Sequence, residues 1–403
     1  MFEIIIYILL ILSLIYGFYF LIMASGVFRK KKCEIDNNKK NHFAILIAAR
    51  NEETVIKNLI NSLKKQNYPS NKYDIYVIVN NCTDNTLEVA KNAGAKIIEC
   101  KQNVKSKGEV LKYTFNKLKS NDEIDAYVIF DADNVVHREF LNKMNDSINC
   151  GYEVVQGFRD TKNICDNWLS TSYAILYYLQ SLFINKSRFN FGMSSFLNGT
   201  GFMVKKETID RYGYDPKTIT EDIEYTAICA INGIKIAFNE NAITYDEQVT
   251  DFKSSLKQRK RWSFGAIQCL RNYTGSLIKE GIKNKRFECF DVIIFYFGII
   301  FHVLFTIVSL IGIFYNVFYL NDFNSIDVVI CFIIFLINYF IGVAFRMIVI
   351  KKCNKSIKEN IWGILLFDLF VLSWFPINFI CLFIKDCNWD HIKHDRNVDT
   401  LNI

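Results

Sequence analysis

Three short clusters hold side chains whose types and spacing can do chemistry: Asp131-Ala132-Asp133, Thr220-Glu221-Asp222, and Gln258 to Trp262, which reads QRKRW. Two carboxylates one residue apart, on a turn after a strand, can face one point and hold a hard divalent cation, leaving positions for phosphate oxygens and water. A solvated acidic turn has the same sequence, and such a pair alone carries little weight. Glu221 and Asp222 open a segment that reads as helix, glycine turn and strand. Carboxylates at a helix start ordinarily cap free amides and meet the positive end of the dipole. Asp222 pointing from that turn into a cleft is also placed to act as a general base. A basic collar at a membrane surface accounts for Lys257, Lys260 and the arginines of the third cluster, but not for a tryptophan beside an arginine.

The first two clusters need a scaffold, and the stretch from Phe43 to Arg286 supplies one. FAILIAAR (Phe43 to Arg50) reads as a buried strand, and the next segment places Val55, Ile56, Leu59, Ile60 and Leu63 at helical spacing. YDIYVIVN, AKIIEC and AYVIFDADN are further strands, separated by the helical NTLEVAKNAG and KGEVLKYTFNKLK. Strand and helix in alternation predict an α/β domain with a mostly parallel sheet, which binds ligands where its strands end.

The rest of the chain is too apolar for an ordinary soluble enzyme of 403 residues: 51% is hydrophobic and 15% aromatic, with 35 Phe against 3 Pro. Ile4 to Met23 carries no charge and matches the ~20 apolar residues that cross a bilayer. It is followed by FRKKK, which predicts a retained anchor with its C-terminal side in the cytoplasm. Val292 to Leu320 and Val328 to Ile350 each read as a span. Ile361 to Ile384 contains Asp368 and Pro376, which leaves open a crossing or a broken interfacial piece, and with it the side of the tail WDHIKHDR. Asn167 to Ile184, aromatic but interrupted by Ser and Gln, reads as an interfacial amphipathic helix. The expected division is 1–27 anchor, 28–286 cytoplasmic domain, 287–385 C-terminal membrane region and 386–403 basic tail. A net charge of +7, spread among acidic residues, does not predict nucleic acid as a partner. The 12 Cys show no CxxC pair and are expected as thiols, and the 5 His have no metal-ligand spacing.

The ordered combination of strand-end DAD, then TED, then QxxRW, with membrane spans after it, resembles the membrane-embedded family 2 inverting glycosyltransferases, which include cellulose, hyaluronan, chitin and poly-N-acetylglucosamine synthases. AARNEE (Ala48 to Glu53), NNCTDNT (Asn80 to Thr86), SKGEVL (Ser106 to Leu111) and LNGTGFMV (Leu197 to Val204) fit the same pattern. The resemblance implies a GT-A-like fold and a cell-membrane, multi-pass enzyme with a cytoplasmic catalytic domain, while the richness in Asn, Lys, Ile and Phe predicts an AT-rich bacterial source. It implies a UDP-sugar donor, a growing glycan or a lipid-linked acceptor, and a second membrane subunit as a further partner. Polymer synthesis is the first expectation and transfer of one sugar to a lipid the second; a degenerate nucleotide-binding module is a third, against which the intact clusters argue.

The site residues implied are Arg50, Asn51, Glu52 and Asn80 around the nucleotide, Lys107, and Asp131 with Asp133 as ligands of Mg²⁺ or Mn²⁺. Gly199, Thr200 and Gly201 are expected near the sugar. Asp222, beside Glu221, is expected to take the acceptor's proton. Arg259 and Arg261 are expected on the diphosphate, and Trp262, with Gln258, under the acceptor sugar. Relatives usually carry aspartate where this chain has Asn80; an asparagine can accept from uracil N3–H and donate to O4.

Overall fold

In the computed structural model the described residues are 2–31, 39–102, 104, 106–315, 325–387 and 396. The predicted alternation gives strands β1 (Phe43–Ala49), β2 (Tyr73–Asn80), β3 (Lys96–Cys100) and β4 (Ala126–Asp131), followed by β5 (Val135–Val136), β6 (Val154–Thr161), β7 (Phe202–Lys205) and β8 (Ile236–Asp246). They form one sheet in the order β3-β2-β1-β4-β7-β6-β8-β5. β1 to β4 are parallel and β6 runs parallel to β8, while β7 is antiparallel to both β4 and β6 and β5 is antiparallel to β8. The chain steps outward from β1 to β2 and β3, then crosses back to place β4 on the other side of β1. That reversal opens a crevice at the carboxyl ends of β1 and β4, where such sheets bind ligands.

Helices cover both faces. After the N-terminal helix α1 (Phe2–Ser25) come α2 (Ile56–Lys64), α3 (Thr86–Asn92), α4 (Lys107–Leu118) and α5 (Phe140–Asn149). Helix α6 (Trp168–Leu179) runs through a π-helical segment, Gln180–Lys186, into α7 (Ser187–Asn190), and α8 (Lys206–Tyr212), α9 (Glu221–Asn232) and α10 (Phe252–Lys283) follow. The odd-numbered side chains of β1, Phe43, Ile45 and Ile47, pack with Leu59, Leu63 and Phe140 on one face. Ala44 and Leu46 pack with Leu111, Phe115 and Tyr225 on the other. This is the period of two expected of a strand covered on both sides.

The remaining helices are α11 (Phe287–Tyr315), α12 (Ser325–Lys352), α13 (Ile361–Leu372) and α14 (Trp374–Cys381). Among the described residues four stretches are long and apolar enough to cross a membrane: Tyr7–Phe28, Phe287–Gly312, Val329–Lys352 and Ile361–Cys381. The last is broken at Ser373, where Pro376 removes a donor and its ring would meet the carbonyl four residues back. One pair of charges inside these stretches is matched: Arg346 donates to both carboxylate oxygens of Asp368, at 2.6 and 2.9 Å. Buried Arg188 clasps Asp291 of α11 at 2.9 and 3.0 Å, and Tyr19 of α1 donates to the same carboxylate.

Two expectations change. The stretch read as an interfacial helix becomes α6, whose side chains from Leu169 to Ile175 are all buried. Tyr173 packs edge-on to Phe370 of α13, and Thr171 lies 3.1 Å from Asn360, so the apolar side of α6 meets protein. Cys150 is disulfide-bonded, against the expectation of thiols throughout; ten other described cysteines are free. Most of the basic tail lies outside the described residues, although Arg396 forms an ion pair with Asp166.

Candidate active site

A cavity of about 470 Å³ occupies the crevice at the carboxyl ends of β1, β2 and β4 and extends under α6, α9 and α10. Twelve of the residues singled out from sequence line it: Arg50, Glu52, Asn80, Lys107, Asp131, Asp133, Gly199, Glu221, Asp222, Gln258, Arg261 and Trp262. Local folding explains their convergence. Asp131 is the last residue of β4, Ser106 caps α4 by accepting from Glu109 N at 3.2 Å and so fixes Lys107 in the first turn, and Glu221 and Asp222 open α9.

At the centre, the Lys107 ammonium donates to Asp131 and to the Gly199 carbonyl at 2.7 Å, and stands 3.8 Å from Glu221. Burial alone would lower the lysine pKa; Asp131 and Glu221 outweigh it and hold the ammonium charged. Burial pushes the Glu221 carboxyl up despite Lys107, and it also pushes Asp222 up against the amide donors at the helix start and the same lysine. A methyl group placed on Gly199, whose φ is +81°, would stand 3.3 Å from Asp222 Oδ2, so the glycine lets backbone pass next to that carboxylate. Asp133 accepts from Glu247 N at 2.9 Å, which turns its side chain toward the start of the loop after β8.

Four expected residues do not line the cavity. Asn51, at φ 59°, turns its carbonyl to Thr83 N at 2.8 Å and ties two loops together. Thr200 is fully buried; its hydroxyl donates to Asn134 and accepts from Asp131 N at 3.0 Å, so it holds the DAD turn. Gly201 donates to Ile129 O at 2.9 Å and packs its Cα against Thr244. Arg259 points away because QRKRW lies on a helix, where Gln258, Arg261 and Trp262 at i, i+3 and i+4 share one face and the next residue does not. Its guanidinium is fully buried instead at the end of α13, donating to Phe370 O at 3.1 Å and Ser373 Oγ at 2.8 Å. A cation is well placed at those terminal carbonyls.

Asn80 lines the cavity but keeps only half of its expected chemistry. Its amide group donates to Cys100 O at 3.2 Å and reaches Gln102 O at 3.5 Å. Donation to a base carbonyl is therefore not available, and the side-chain oxygen is what a ligand meets.

Other cavity residues were not singled out in the sequence. Arg159, at the end of β6, donates to Asp246 Oδ2 at 2.5 Å and to Asn198 O at 2.9 Å, with its guanidinium 3.8 Å from the centre of the Tyr177 ring. Burial, opposed by Arg159 and reinforced by Asp133, pushes Asp246 up to about 6. Tyr177, Gln180, Asn198 and Glu247 also line the cavity, together with an apolar limb that includes Leu176, Leu179, Ile184, Ile223, Phe295 and Trp374. VVQGFR carries a strand-like alternation that could have flagged Arg159. The limb has no local signal, because α6, α9, α11 and α14 each give it only one to three residues.

The cavity thus sets two carboxylates and a lysine at one end, a desolvated carboxylate in the middle, and an arginine and aromatic rings on the far wall. Among the described residues there is no group of three or more His, Cys, Asp and Glu around one point. Two hard carboxylates on one turn fit a small divalent cation that draws its remaining ligands from phosphate and water.

Residues 40–265, more than half of the chain, match the family described as "Glycosyltransferase like family 2". A relative from Bacillus subtilis, "Probable glycosyltransferase YdaM", is 24% identical, with 87% of this chain and 83% of that protein covered. A "Beta-monoglucosyldiacylglycerol synthase" from Synechocystis is 23% identical over 57% of this chain, and the match spans about half, 48%, of that protein. Among solved structures, the mannosyltransferase PcManGT from Pyrobaculum calidifontis, in complex with GDP-Man and Mn²⁺, shares the fold over 96% of this chain with a TM-score of 0.63 and 13% identity.

Proposed function

The chain belongs to the glycosyltransferase-like family 2, and from that premise we propose that it moves a single hexose or N-acetylhexosamine from a UDP-sugar to the hydroxyl of a lipid-anchored acceptor, with inversion, at the cytoplasmic face of a membrane. The observation that carries this reading is the shape of the cavity. Its polar end, with Asp131, Asp133 and Lys107, is continuous with an apolar limb formed where α6 and α9 meet α11 and α14, beside the candidate spans. A polar donor and a greasy acceptor can therefore meet at Asp222. The synthase from Synechocystis, named for a monoglucosyldiacylglycerol product, supports the same reading. Polymer synthesis asks for an aromatic platform under a glycan. Here the Trp262 ring already packs edge-on with Tyr173 and Tyr177, at 6.0 and 6.2 Å, and lies 6.3 Å from Trp374.

In this mechanism Asn80 accepts an N–H of the base through its side-chain oxygen. Lys107 and Arg261 hold the diphosphate, the latter making no ion pair among the described residues. Asp131 and Asp133 are the residues that would hold Mg²⁺ or Mn²⁺, which when bound offsets the charge on the departing diphosphate. Asp222 takes the proton of the attacking hydroxyl. Its removal from water raises its affinity for that proton and so matches it to the task. Glu221 and Thr200 act as positioning residues, one through Lys107 and the other through the DAD turn.

The test is transfer by the full-length protein in detergent, supplied with a panel of UDP-sugars and GDP-mannose, Mn²⁺ or Mg²⁺, and vesicles with or without diacylglycerol. The expected result is a singly glycosylated lipid, formed from one donor and abolished by chelator and by Asp222→Asn. A water-soluble polymer formed without added lipid would overturn the acceptor assignment.

A further inference from the structure

The wall between Asp222 and Asp131 contains a polar group that the structure leaves without a partner. Asn198 is buried, at 6% exposure, and lines the cavity, yet its side-chain nitrogen has no hydrogen-bond partner among the described residues. A buried amide donor left unpaired is destabilising, so such groups ordinarily have a reason. The rest of Asn198 is fixed. Its backbone N donates to Gln156 Oε1 at 2.9 Å, its backbone O accepts from Arg159, and its side-chain oxygen accepts from Gln180 Nε2 at 2.9 Å. Gln180 opens the π-helical segment, a distortion that recurs at functional sites. Thr220 Oγ1 is another unpaired buried group on the cavity wall, but it packs against the backbone of α10 at Gly265.

Position identifies the ligand class. The next residue, Gly199, receives Lys107 on its carbonyl and lies against the Asp222 carboxylate. The peptide from Asn198 to Gly199 therefore runs between the diphosphate end and the base. In a displacement, what lies between a leaving diphosphate and a base is the transferred ring.

Resting on the transferase reading above, we propose that Asn198, held by Gln180, donates a hydrogen bond to a hydroxyl or acetamido oxygen of the donor sugar and thereby selects which sugar is moved. Asn198 touches the substrate; Gln180 is a positioning residue that keeps the amide nitrogen toward it. A site built to pair a sugar oxygen rejects an epimer that misplaces that oxygen, because the donor is then left unpaired again.

The experiment titrates full-length protein in Mn²⁺ with UDP, UDP-glucose, UDP-galactose and UDP-N-acetylglucosamine, each by displacement of a fluorescent UDP analogue. Wild-type protein is expected to rank the sugars and to bind one more tightly than UDP. Asn198→Ala should lower affinity for that sugar about tenfold, the worth of one well-placed hydrogen bond, and leave UDP unchanged. Asn198→Asp keeps the shape and the contact with Gln180 but presents an acceptor where a donor is needed, so it should erase the ranking without lowering the melting temperature. Gln180→Ala should blunt the ranking in part. Variants that keep the wild-type ranking, or that weaken UDP and every sugar equally, would overturn the assignment of Asn198. A wild-type protein that ranks sugars but transfers none overturns the transferase reading instead, and one that binds no nucleotide overturns both.

Discussion

The two ends of the cavity are built in different ways. The polar end comes from residues that sit where parallel strands stop: Arg50 after β1, Asn80 closing β2, Asp131 closing β4, and Lys107 in the first turn of α4. The far end comes from helices that meet across long stretches of chain, with α6, α9, α10, α11 and α14 each contributing one to three side chains. At the first end the backbone dictates function locally, so a wrong side chain changes chemistry more than stability. At the second, function depends on helix packing, so one position can serve the fold while a near neighbour serves the ligand.

Asp222 joins the two ends, and its variants should have the largest effect. Asp222→Asn removes the carboxylate placed against Gly199 while keeping its volume, and should lower kcat by about 10²–10⁴-fold with nucleotide affinity retained. The pH dependence sharpens this. Burial raises the Asp222 pKa, so the carboxylate is proton-free, and able to serve as the proposed base, only above a value higher than an ordinary aspartate's. Activity should therefore fall with acid at a higher pH than for an exposed carboxylate, and the residual activity of the Asn variant should lack that limb. A rate profile that stays flat down to the usual carboxylate range would show that another group takes the proton.

The arginines of QRKRW test the difference between the ends within three residues. Arg261 faces the cavity, whereas Arg259 is buried against the end of α13. Arg261→Ala should raise the donor KM about tenfold, as expected for loss of one charge-assisted contact, and leave the melting temperature unchanged. Arg259→Ala should destabilise by about 2 kcal/mol, because it strips donors from Phe370 O and Ser373 and leaves a hole beside Phe370 and Trp374. Activity per folded molecule should change less than for Arg261→Ala. Equal effects of the two substitutions on KM and melting would mean that α10 does not present the face described.

The same division explains what could be read from the sequence. The strand-end residues were legible because a run such as AYVIFDAD states its own burial and its own end; β1 to β4 lie where alternation placed them. Thr200 and Asn51 do not line the cavity and hold neighbouring segments instead; a polar residue beside a site looks the same in sequence whether it meets a ligand or a neighbouring loop. Arg159 and Tyr177 carry no local signal of a site because β6 pairs with β7 and β8, two strands that follow it in the chain, and only that pairing, with α6 laid over it, brings the guanidinium and the ring to the cavity. The QRKRW segment was recognisable by composition, but which of its two arginines faces the ligand depends on its being helical, which the sequence reading did not assign. The apolar limb left no trace in any single segment, since contiguity in space is its only signature.

The smallest expected effect lies at Asn80, where the chain departs from the aspartate usual in the family it resembled. Restoring a carboxylate would ordinarily strengthen acceptance of a base N–H, since charge-assisted bonds are the stronger kind. In this protein the amide nitrogen faces the Cys100 carbonyl at 3.2 Å and the Gln102 carbonyl at 3.5 Å. Asn80→Asp would set an oxygen against two others, so gain at the base is offset by repulsion in the wall. UDP affinity should change by less than about threefold, roughly half the free energy of a tenfold step, and a calorimetric titration of the variant measures it directly. A gain well beyond that would mean that the loop from Cys100 to Gln102 can turn its carbonyls away, and that the polar end, too, depends on a neighbouring segment as the far end does.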